Sequence, residues 1–298
     1  MALGATLFAM MNFLARLATA SASWASVAAV RALVGALVAF GVARIRGRPL
    51  APNDVRAVFW RSLLGTIAML ATFYALSSRT VSLGNTVTLL NLSPVFLAVL
   101  APIFLRERTS AGVAIAIALA LAGVVLVVRP AFVFGPGADE ALTPTPGAGP
   151  SAGLTVLVAV LAALSTSIAM MLLRRVGQTE SAEAIAFHFS LFAAATMGLI
   201  SLFDLRLPTM RDAICMIAAG LCAGFAQLAM TRAYALERAA RVSGMSYFSV
   251  VASALLGAAL LGERPGPTAV AGMTLVIAGG VLVTFARSRS TADVTSRP

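Results

Sequence analysis

The residues most able to do chemistry in this 298-residue chain are arginines that interrupt long apolar runs. Arg31 lies about one turn into such a run, where its guanidinium can either bind a substrate carboxylate or extend along its aliphatic stem to the nearest polar surface. Arg16, Arg61 and Arg232 lie near the ends of apolar runs. Extension to the surface explains Arg16, and orientation with packing at a helix end explains the other two. Because charge inside a bilayer is costly, Arg31 becomes a candidate substrate-binding residue.

A row of uncharged polar residues lies in another apolar run. Asn85, Thr88 and Asn91 recur every third residue, which places them on one side of a helix. Pro94 follows and removes a backbone hydrogen bond, so a kink is expected there. This face is our first choice for the wall of a substrate site, and hydrogen bonding between helices is the alternative interpretation.

Further substrate-binding candidates come from runs expected to face the centre of a bundle. Asn12, Gln227 and Tyr247 supply polar groups there. Phe73 and Tyr74 have rings that stack on a substrate or simply pack in the core, and both interpretations stay open at this point.

Proton coupling has one candidate, His188, which is the single histidine of the chain. Imidazole exchanges a proton near neutral pH. No Asp or Glu falls at the centre of an apolar run, so a carrier that uses a carboxylate in the middle of the membrane lacks its residue. A packed histidine with no role, together with passive facilitation of the substrate, is the alternative.

Enzymatic patterns are not found. An intramembrane protease would need a serine partnered by a histidine, and a metal-dependent transferase would need clustered acids. The acids are dispersed, and Cys215 and Cys222 lie in one apolar run as small apolar side chains do. We therefore expect no catalytic residue, no metal and no cofactor.

The elements that position these residues follow from composition. Hydrophobic residues make up 60% of the chain and charged residues 11%, against about 45–50% and about 25% in soluble domains. A membrane helix needs about 20 mostly apolar residues. The chain is thus predicted to be an all-α integral membrane protein with ten transmembrane helices. They lie roughly at 2–18, 27–42, 57–76, 83–105, 111–128, 153–173, 182–202, 213–236, 242–261 and 267–286.

The net charge of +11 arises from 22 arginines and 11 acidic residues, with no lysine. These arginines are scattered between apolar runs, so they do not predict a nucleic-acid partner. With the N-terminus inside, thirteen arginines fall in inner segments and five in outer ones. The positive-inside rule then places both termini in the cytoplasm. The expected partners are the lipid bilayer and a small-molecule substrate.

The chain looks like two copies of one unit. A Gly- and Pro-rich segment separates five apolar runs from five, and one constant offset aligns Glu107 with Glu263 and Gly123 with Gly279. An odd number of spans per copy inverts the second copy, and inverted repeats are typical of secondary transporters. The predicted organisation is a first repeat at 1–130, an external flexible linker at 131–152, a second repeat at 153–287 and a cytoplasmic tail at 288–298.

Several motifs in order resemble the EamA-type transporters of the drug/metabolite transporter superfamily. These are Phe73–Leu76, Leu89–Pro94 and Leu105–Arg108 in the first half, and Thr231–Ala235 and Leu261–Pro265 in the second. The resemblance covers nearly the whole chain. It implies a bundle of two inverted five-helix repeats that usually exports small metabolites or amino acids across a bacterial inner membrane.

The expected function is export of small metabolites by alternating access, with amino acids or related compounds as the first candidates. Uptake of a vitamin or a nucleoside-like compound is the alternative, because the direction of a carrier follows the gradients. An intramembrane enzyme is less favoured. Gly220 and Gly224 form a small-xxx-small pair, but such pairs arise easily in an alanine-rich chain, so a monomer remains compatible with the sequence.

Overall fold

The computed structural model describes most of the chain, namely residues 2–19, 21–78, 80–81, 83–93, 95–97, 99–100, 111–128, 151–204, 206–236, 248–260, 262 and 266–295. Regular secondary structure in these ranges is helical, with no strand among them. The predicted all-α class is confirmed for this part of the chain.

The helices overlap the predicted apolar runs. They are α1 Ala2–Ala18, α2 Trp24–Ile45, α3 Val55–Ser77, α4 Leu83–Leu90, α5 Ala111–Val128, α6 Ala152–Val176, α7 Ala182–Ser201, α8 Met210–Leu236, α9 Phe248–Leu260 and α10 Pro267–Thr295. A 3-10 turn, Leu202–Asp204, follows α7. Among the described residues, five helices (α2, α3, α6, α7 with its 3-10 turn, and α8) are long and apolar enough to cross a membrane. The protein is therefore a membrane-embedded, multi-pass protein.

Two helices differ in extent from the prediction. α4 is Leu83–Leu90, a turn follows in which the Leu92 amide donates to the Leu89 carbonyl at 3.1 Å, and the described residues 93, 95–97 and 99–100 are helical again. The kink expected at Pro94 lies outside the described residues. α10 continues to Thr295, so the predicted tail from 288 is largely helical. The reason is that its last residues contain neither Gly nor Pro to stop the helix.

Side-chain caps set where five of the helices begin. In each case the capping oxygen accepts the backbone amide three residues later, which satisfies one of the donors that a helix start leaves free. The caps are Ser23 for α2, Asp54 for α3, Ser151 for α6, Ser181 for α7 and Thr209 for α8.

The two halves of the chain are packed into each other. The extensive helix contacts pair α5 with α10, α2 with α7, α3 with α6 and α1 with α8. Further contacts join α2 to α8, α3 to α7, α1 to α9, and α4 to both α6 and α9. Since every one of these pairs takes one helix from each side of the predicted linker, neither half forms a separate core.

Loop contacts define the two ends of the bundle. The Ser21 hydroxyl donates to the Asp212 carboxylate, which joins the α1–α2 loop to the start of α8. At the other end, the Asp54 amide donates to Glu180 Oε1 at 2.7 Å, which joins the α2–α3 loop to the α6–α7 loop. We call these the α1–α2 end and the α2–α3 end.

Glycines bring paired helices into backbone contact. A Cβ on Gly123 would lie 2.6 Å from the carbonyl oxygen of Gly272, and one on Gly279 would lie 2.7 Å from that of Ala116. α5 and α10 therefore cross at a distance that only glycine permits at these two positions.

The glycine pair of α8 has the same role within the chain. A Cβ on Gly220 would lie 2.6 Å from Val34 Cβ, and one on Gly224 would lie 2.8 Å from Val38 Cβ. Gly220 and Gly224 thus receive two valines of α2, and the pair serves packing inside one molecule.

Replacing Gly220 with alanine is expected to destabilise the purified protein. The new methyl group overlaps Val34, and overpacking of this kind costs about 1–3 kcal/mol. Gly41→Ala is the matched control, because a Cβ at Gly41 meets nothing within 4 Å. The melting temperature in detergent should fall for Gly220→Ala and stay level or rise for Gly41→Ala. Equal melting temperatures for the two variants would contradict the close α2–α8 contact.

Candidate functional site

A cavity of about 220 Å³ lies inside the bundle. Helices α1, α2, α3, α6, α7, α8 and α9 and the end of α4 contribute to its wall. An apolar cavity of about 150 Å³ holds benzene, so this one has room for a small metabolite. Most of its wall is apolar, and its polar side chains include Asn12, Arg31, Arg61, Asn91, Gln227 and Ser249.

Arg61 of α3 is the main departure from the sequence-based expectation. It was expected to pack at a helix end, but it borders the cavity with an exposed fraction of 1%. Its guanidinium carbon lies 4.7 Å from the centre of the Phe189 ring of α7, within cation–π distance. Its Nε and Nη1 have no hydrogen-bond partner in the described structure.

Gly65 creates the space that Arg61 occupies. A Cβ on Gly65 would collide with the Arg61 guanidinium and would lie 2.9 Å from the Phe189 ring. The side chain of Arg61 therefore runs along α3 for one turn, beneath the aromatic ring. The sequence signal was an arginine followed four residues later by a glycine, which puts both on one face of a helix.

Arg31 of α2 also borders the cavity and is 6% exposed. Its Nη1 lies 2.7 Å from the sulfur of Met69, and its guanidinium carbon lies 5.9 Å from the centre of the Phe73 ring. Its Nε has no partner in the part of the chain described. Of the two sequence interpretations, extension to the surface is not what the structure has, since the guanidinium stays inside the bundle.

The cavity wall carries positive charge without a compensating carboxylate. None of its described residues is Asp or Glu. The described carboxylates have partners elsewhere: Glu183 pairs with Arg232 and lies 3.6 Å from Arg46, and Asp204 lies 2.9 Å from Arg206. A charged arginine at the centre of a membrane helix costs about 2.5–3.5 kcal/mol on insertion scales. The wall is therefore suited to an anionic group.

Neutral hydrogen-bonding groups complete the wall. Asn91 Nδ2 donates to the Val87 carbonyl at 2.8 Å and to Ser249 Oγ at 3.1 Å, which connects the end of α4 to α9. Gln227 of α8 is 5% exposed, and its Nε2 has no partner among the described residues. Asn12 of α1 is also buried at the cavity. These amides can donate to, or accept from, a polar substrate.

The structure brings together five of the residues predicted from sequence and places four others elsewhere. Asn12, Arg31, Phe73, Asn91 and Gln227 border the cavity. Four other predicted residues lie away from the described wall of the cavity: Tyr74, Asn85, Thr88 and His188.

Asn85 and Thr88 are buried within α4. Asn91 lies in the turn that follows Leu90, and its backbone amide still donates to the Val87 carbonyl at 2.9 Å, as in a continuing helix. Tyr247 lies outside the described residues, as do the repeated Glu107 and Glu263.

Tyr74 and His188 are held by neighbours of their own. The Tyr74 ring packs edge-on against Trp24 with ring centres 5.7 Å apart. His188 Nδ1 lies 2.9 Å from the Ala184 carbonyl oxygen of the same helix, and its ring packs edge-on against Phe187.

Arg16 corrects another expectation. It does not extend to the surface but is 3% exposed, and its Nη2 donates to the Val81 carbonyl at 2.8 Å. This contact ties α1 to the α3–α4 loop at the α1–α2 end of the bundle. Among the described residues, no group of three or more His, Cys, Asp or Glu side chains is placed to hold a metal.

Similarity to known proteins agrees with a membrane carrier. The pseudopaline exporter CntI of Pseudomonas aeruginosa is 26% identical over 282 residues, which cover 94% of this chain and 90% of the exporter. Solute carrier family 35 member G1 of Mus musculus is 28% identical over 241 residues, which cover 77% of this chain and 62% of that protein. A crystal structure matches with a TM-score of 0.69 at 18% identity over 96% of both chains, which shows a shared fold.

The family model of the EamA-like transporters matches two blocks, residues 1–129 and 153–285. Together these blocks account for most of the 298 residues. The chain therefore belongs to the EamA-like transporter family.

Proposed function

We propose that this protein is a bacterial inner-membrane secondary transporter that exports a small metabolite by alternating access. Amino acids or related compounds are the first candidate substrates. The observation that carries the proposal is a cavity lined by buried charged and amide side chains inside an otherwise apolar bundle. Secondary transporters bind their substrate near the middle of the bundle, away from both membrane surfaces, so polar side chains at that depth are suited to a carrier. The similarity to a protein named as an exporter supports the direction.

The architecture that we propose is ten membrane spans arranged as two inverted five-helix repeats. Helix contacts support it, because several pairs have a counterpart five helices later. The contact of α3 with α6 corresponds to that of α8 with α1, α4 with α6 to α9 with α1, and α2 with α8 to α7 with α3. Gly123 and Gly279, which the sequence offset aligns, take equivalent places where α5 crosses α10.

The repeats are proposed to extend over 1–130 and 153–287. The two blocks of the family match support these bounds. A single chain can form the whole cavity, since α1 to α4 and α6 to α9 all reach it. We therefore propose that the monomer is sufficient for transport.

Alternating access needs contacts at each end that break in turn. At the α2–α3 end, Glu183 of α7 pairs with Arg232 of α8 and lies near Arg46 of α2. At the α1–α2 end, Asp212 of α8 accepts hydrogen bonds from Ser21 and Thr209. α8 is held at both ends, and we propose that opening one set of contacts exposes the cavity to one side of the membrane.

Substrate binding is assigned to the five predicted residues that border the cavity, with Arg61 added from the structure. Tyr74, Asn85, Thr88 and Tyr247 stay secondary candidates.

The test is flux into and out of proteoliposomes that contain the full-length protein, with a panel of amino acids, vitamins and nucleoside-like compounds. Counterflow of at least one panel member is expected, and protein-dependent flux of none of them would overturn the proposal.

Asn91→Ala is expected to reduce counterflow about tenfold or more, because the variant loses both an amide at the cavity and the bridge from α4 to Ser249. Thr274→Ala is the control, since Thr274 is exposed on α10 and its hydroxyl donates to the Val270 carbonyl of its own helix. Initial rates per milligram of reconstituted protein give the comparison. Wild-type rates for Asn91→Ala would remove this residue from the site.

His188 is expected to be dispensable for energy coupling, so we propose facilitated transport. Its ring nitrogen faces the Ala184 carbonyl and not the cavity. His188→Gln should keep wild-type flux and the same response to an imposed pH gradient. If a pH gradient drives uphill flux in the wild type and not in His188→Gln, the histidine carries the proton after all.

Both termini are expected to face the cytoplasm, because the inner segments hold most of the arginines. Green fluorescent protein fused after Pro298 should fluoresce in cells, whereas alkaline phosphatase inserted in the 131–152 segment should be active. The opposite pair of signals would reverse the orientation.

A further inference from the structure

The two cavity arginines approach from opposite ends of the bundle. Arg31 lies about two turns into α2, which begins at the α1–α2 end. Arg61 lies about two turns into α3, which begins at the α2–α3 end. Each therefore projects a positive charge into the cavity from its own side.

The two guanidinium groups lie at different levels along α3. That of Arg61 lies beside Gly65, because a Cβ there would collide with it. That of Arg31 lies beside Met69 and Phe73, one and two turns further along the same helix. With a pitch of 5.4 Å, the charges are separated by about 5–11 Å along the helix axis. Two separate anionic groups, not one, match this spacing.

The residues between the arginines are uncharged. Ala68, Met69 and Thr72 border the cavity on α3 at this level. They offer an apolar surface for a short carbon chain, and the amides of Asn91 and Gln227 lie in the same wall. No described residue of the wall carries a carboxylate that would repel a second anionic group.

Among the described residues, neither arginine has a partner that matches its charge. Arg31 has a sulfur atom and an aromatic face beside it, and Arg61 has an aromatic face. Both keep nitrogen atoms with no hydrogen-bond partner in the described structure. Guanidinium and carboxylate groups form paired, parallel hydrogen bonds, so carboxylates are the ligands that suit these sites.

We propose, on the basis of the transport function above, that the substrate carries two separated carboxylates, one bound by Arg31 and the other by Arg61. The substrate class is a compact dicarboxylate with an uncharged middle, of the length of succinate or glutarate. Binding of the dianion neutralises both buried charges at once, so the loaded cavity is less costly to enclose in the membrane than the empty one.

The first test compares ligands with the unmodified full-length protein in detergent. The probes are glutarate, butyrate as a monocarboxylate, monomethyl glutarate and glycerol phosphate. Glutarate is expected to raise the melting temperature at a concentration about 10- to 100-fold lower than butyrate or the half-ester. Equal effects of glutarate and butyrate would overturn the proposal. A stronger effect of glycerol phosphate would also overturn it, because that compound places its charge at one point.

The second test removes each charge separately. Arg31→Gln and Arg61→Gln should each abolish the preference for glutarate over butyrate, with little change in the butyrate effect. Since each variant loses a buried charge without a partner, its melting temperature without ligand should equal or exceed that of the wild type. Arg206→Gln is the control, because that arginine is exposed and pairs with Asp204 outside the cavity. A merely structural role would lower the ligand-free melting temperature and spare the preference.

Counterflow in proteoliposomes separates this inference from the proposed function. Glutarate binding without flux of any compound would leave the site intact and remove the transport function. Flux of neutral amino acids that ignores glutarate, with both arginine variants at wild-type rates, would keep the transporter and remove the dicarboxylate. Saturable glutarate flux that falls about tenfold or more in each variant would support both.

Discussion

The guanidinium groups of Arg31 and Arg61 lie inside a bundle whose described interior is otherwise apolar or neutral at this level. A buried charge without a partner is unfavourable in a membrane, and the surrounding structure has to accommodate it. Phe189 and Phe73 present ring faces, Met69 presents a sulfur atom, and Gly65 leaves the volume that the Arg61 side chain needs. These groups lower the free-energy cost of burying the two guanidinium groups. None of them carries a negative charge, so the positive charge of the cavity is not neutralised.

Close helix packing elsewhere offsets the loss of stability that such a cavity causes. Gly123 and Gly279 bring α5 against α10, while Gly220 and Gly224 let α8 receive valines of α2. Dispersion contacts of this kind drive association in a membrane, where burial of apolar surface gives little. The central helices are thus held at both their ends and their crossings, and the space between them is left for a ligand.

The sequence predicted the helices well, because apolar runs of the required length leave few alternatives in a membrane. It also selected Asn12, Arg31, Phe73, Asn91 and Gln227, all of which border the cavity. Asn85 and Thr88, predicted with Asn91 from their threefold spacing, lie away from the described wall of the cavity. Spacing alone specifies a shared helix face, but it does not specify which neighbouring helix that face meets.

Arg61 was missed for a related reason. Its distance from the start of an apolar run resembled that of a residue packed at a helix end, and only the neighbouring Phe189 of α7 shows that it faces inward. Composition and periodicity by themselves determined that the chain is an all-helical membrane protein and which residues in it are polar. The tertiary structure decided which of those residues meet, because a helix's orientation about its axis depends on contacts with distant segments. It therefore also decided that two arginines share one cavity.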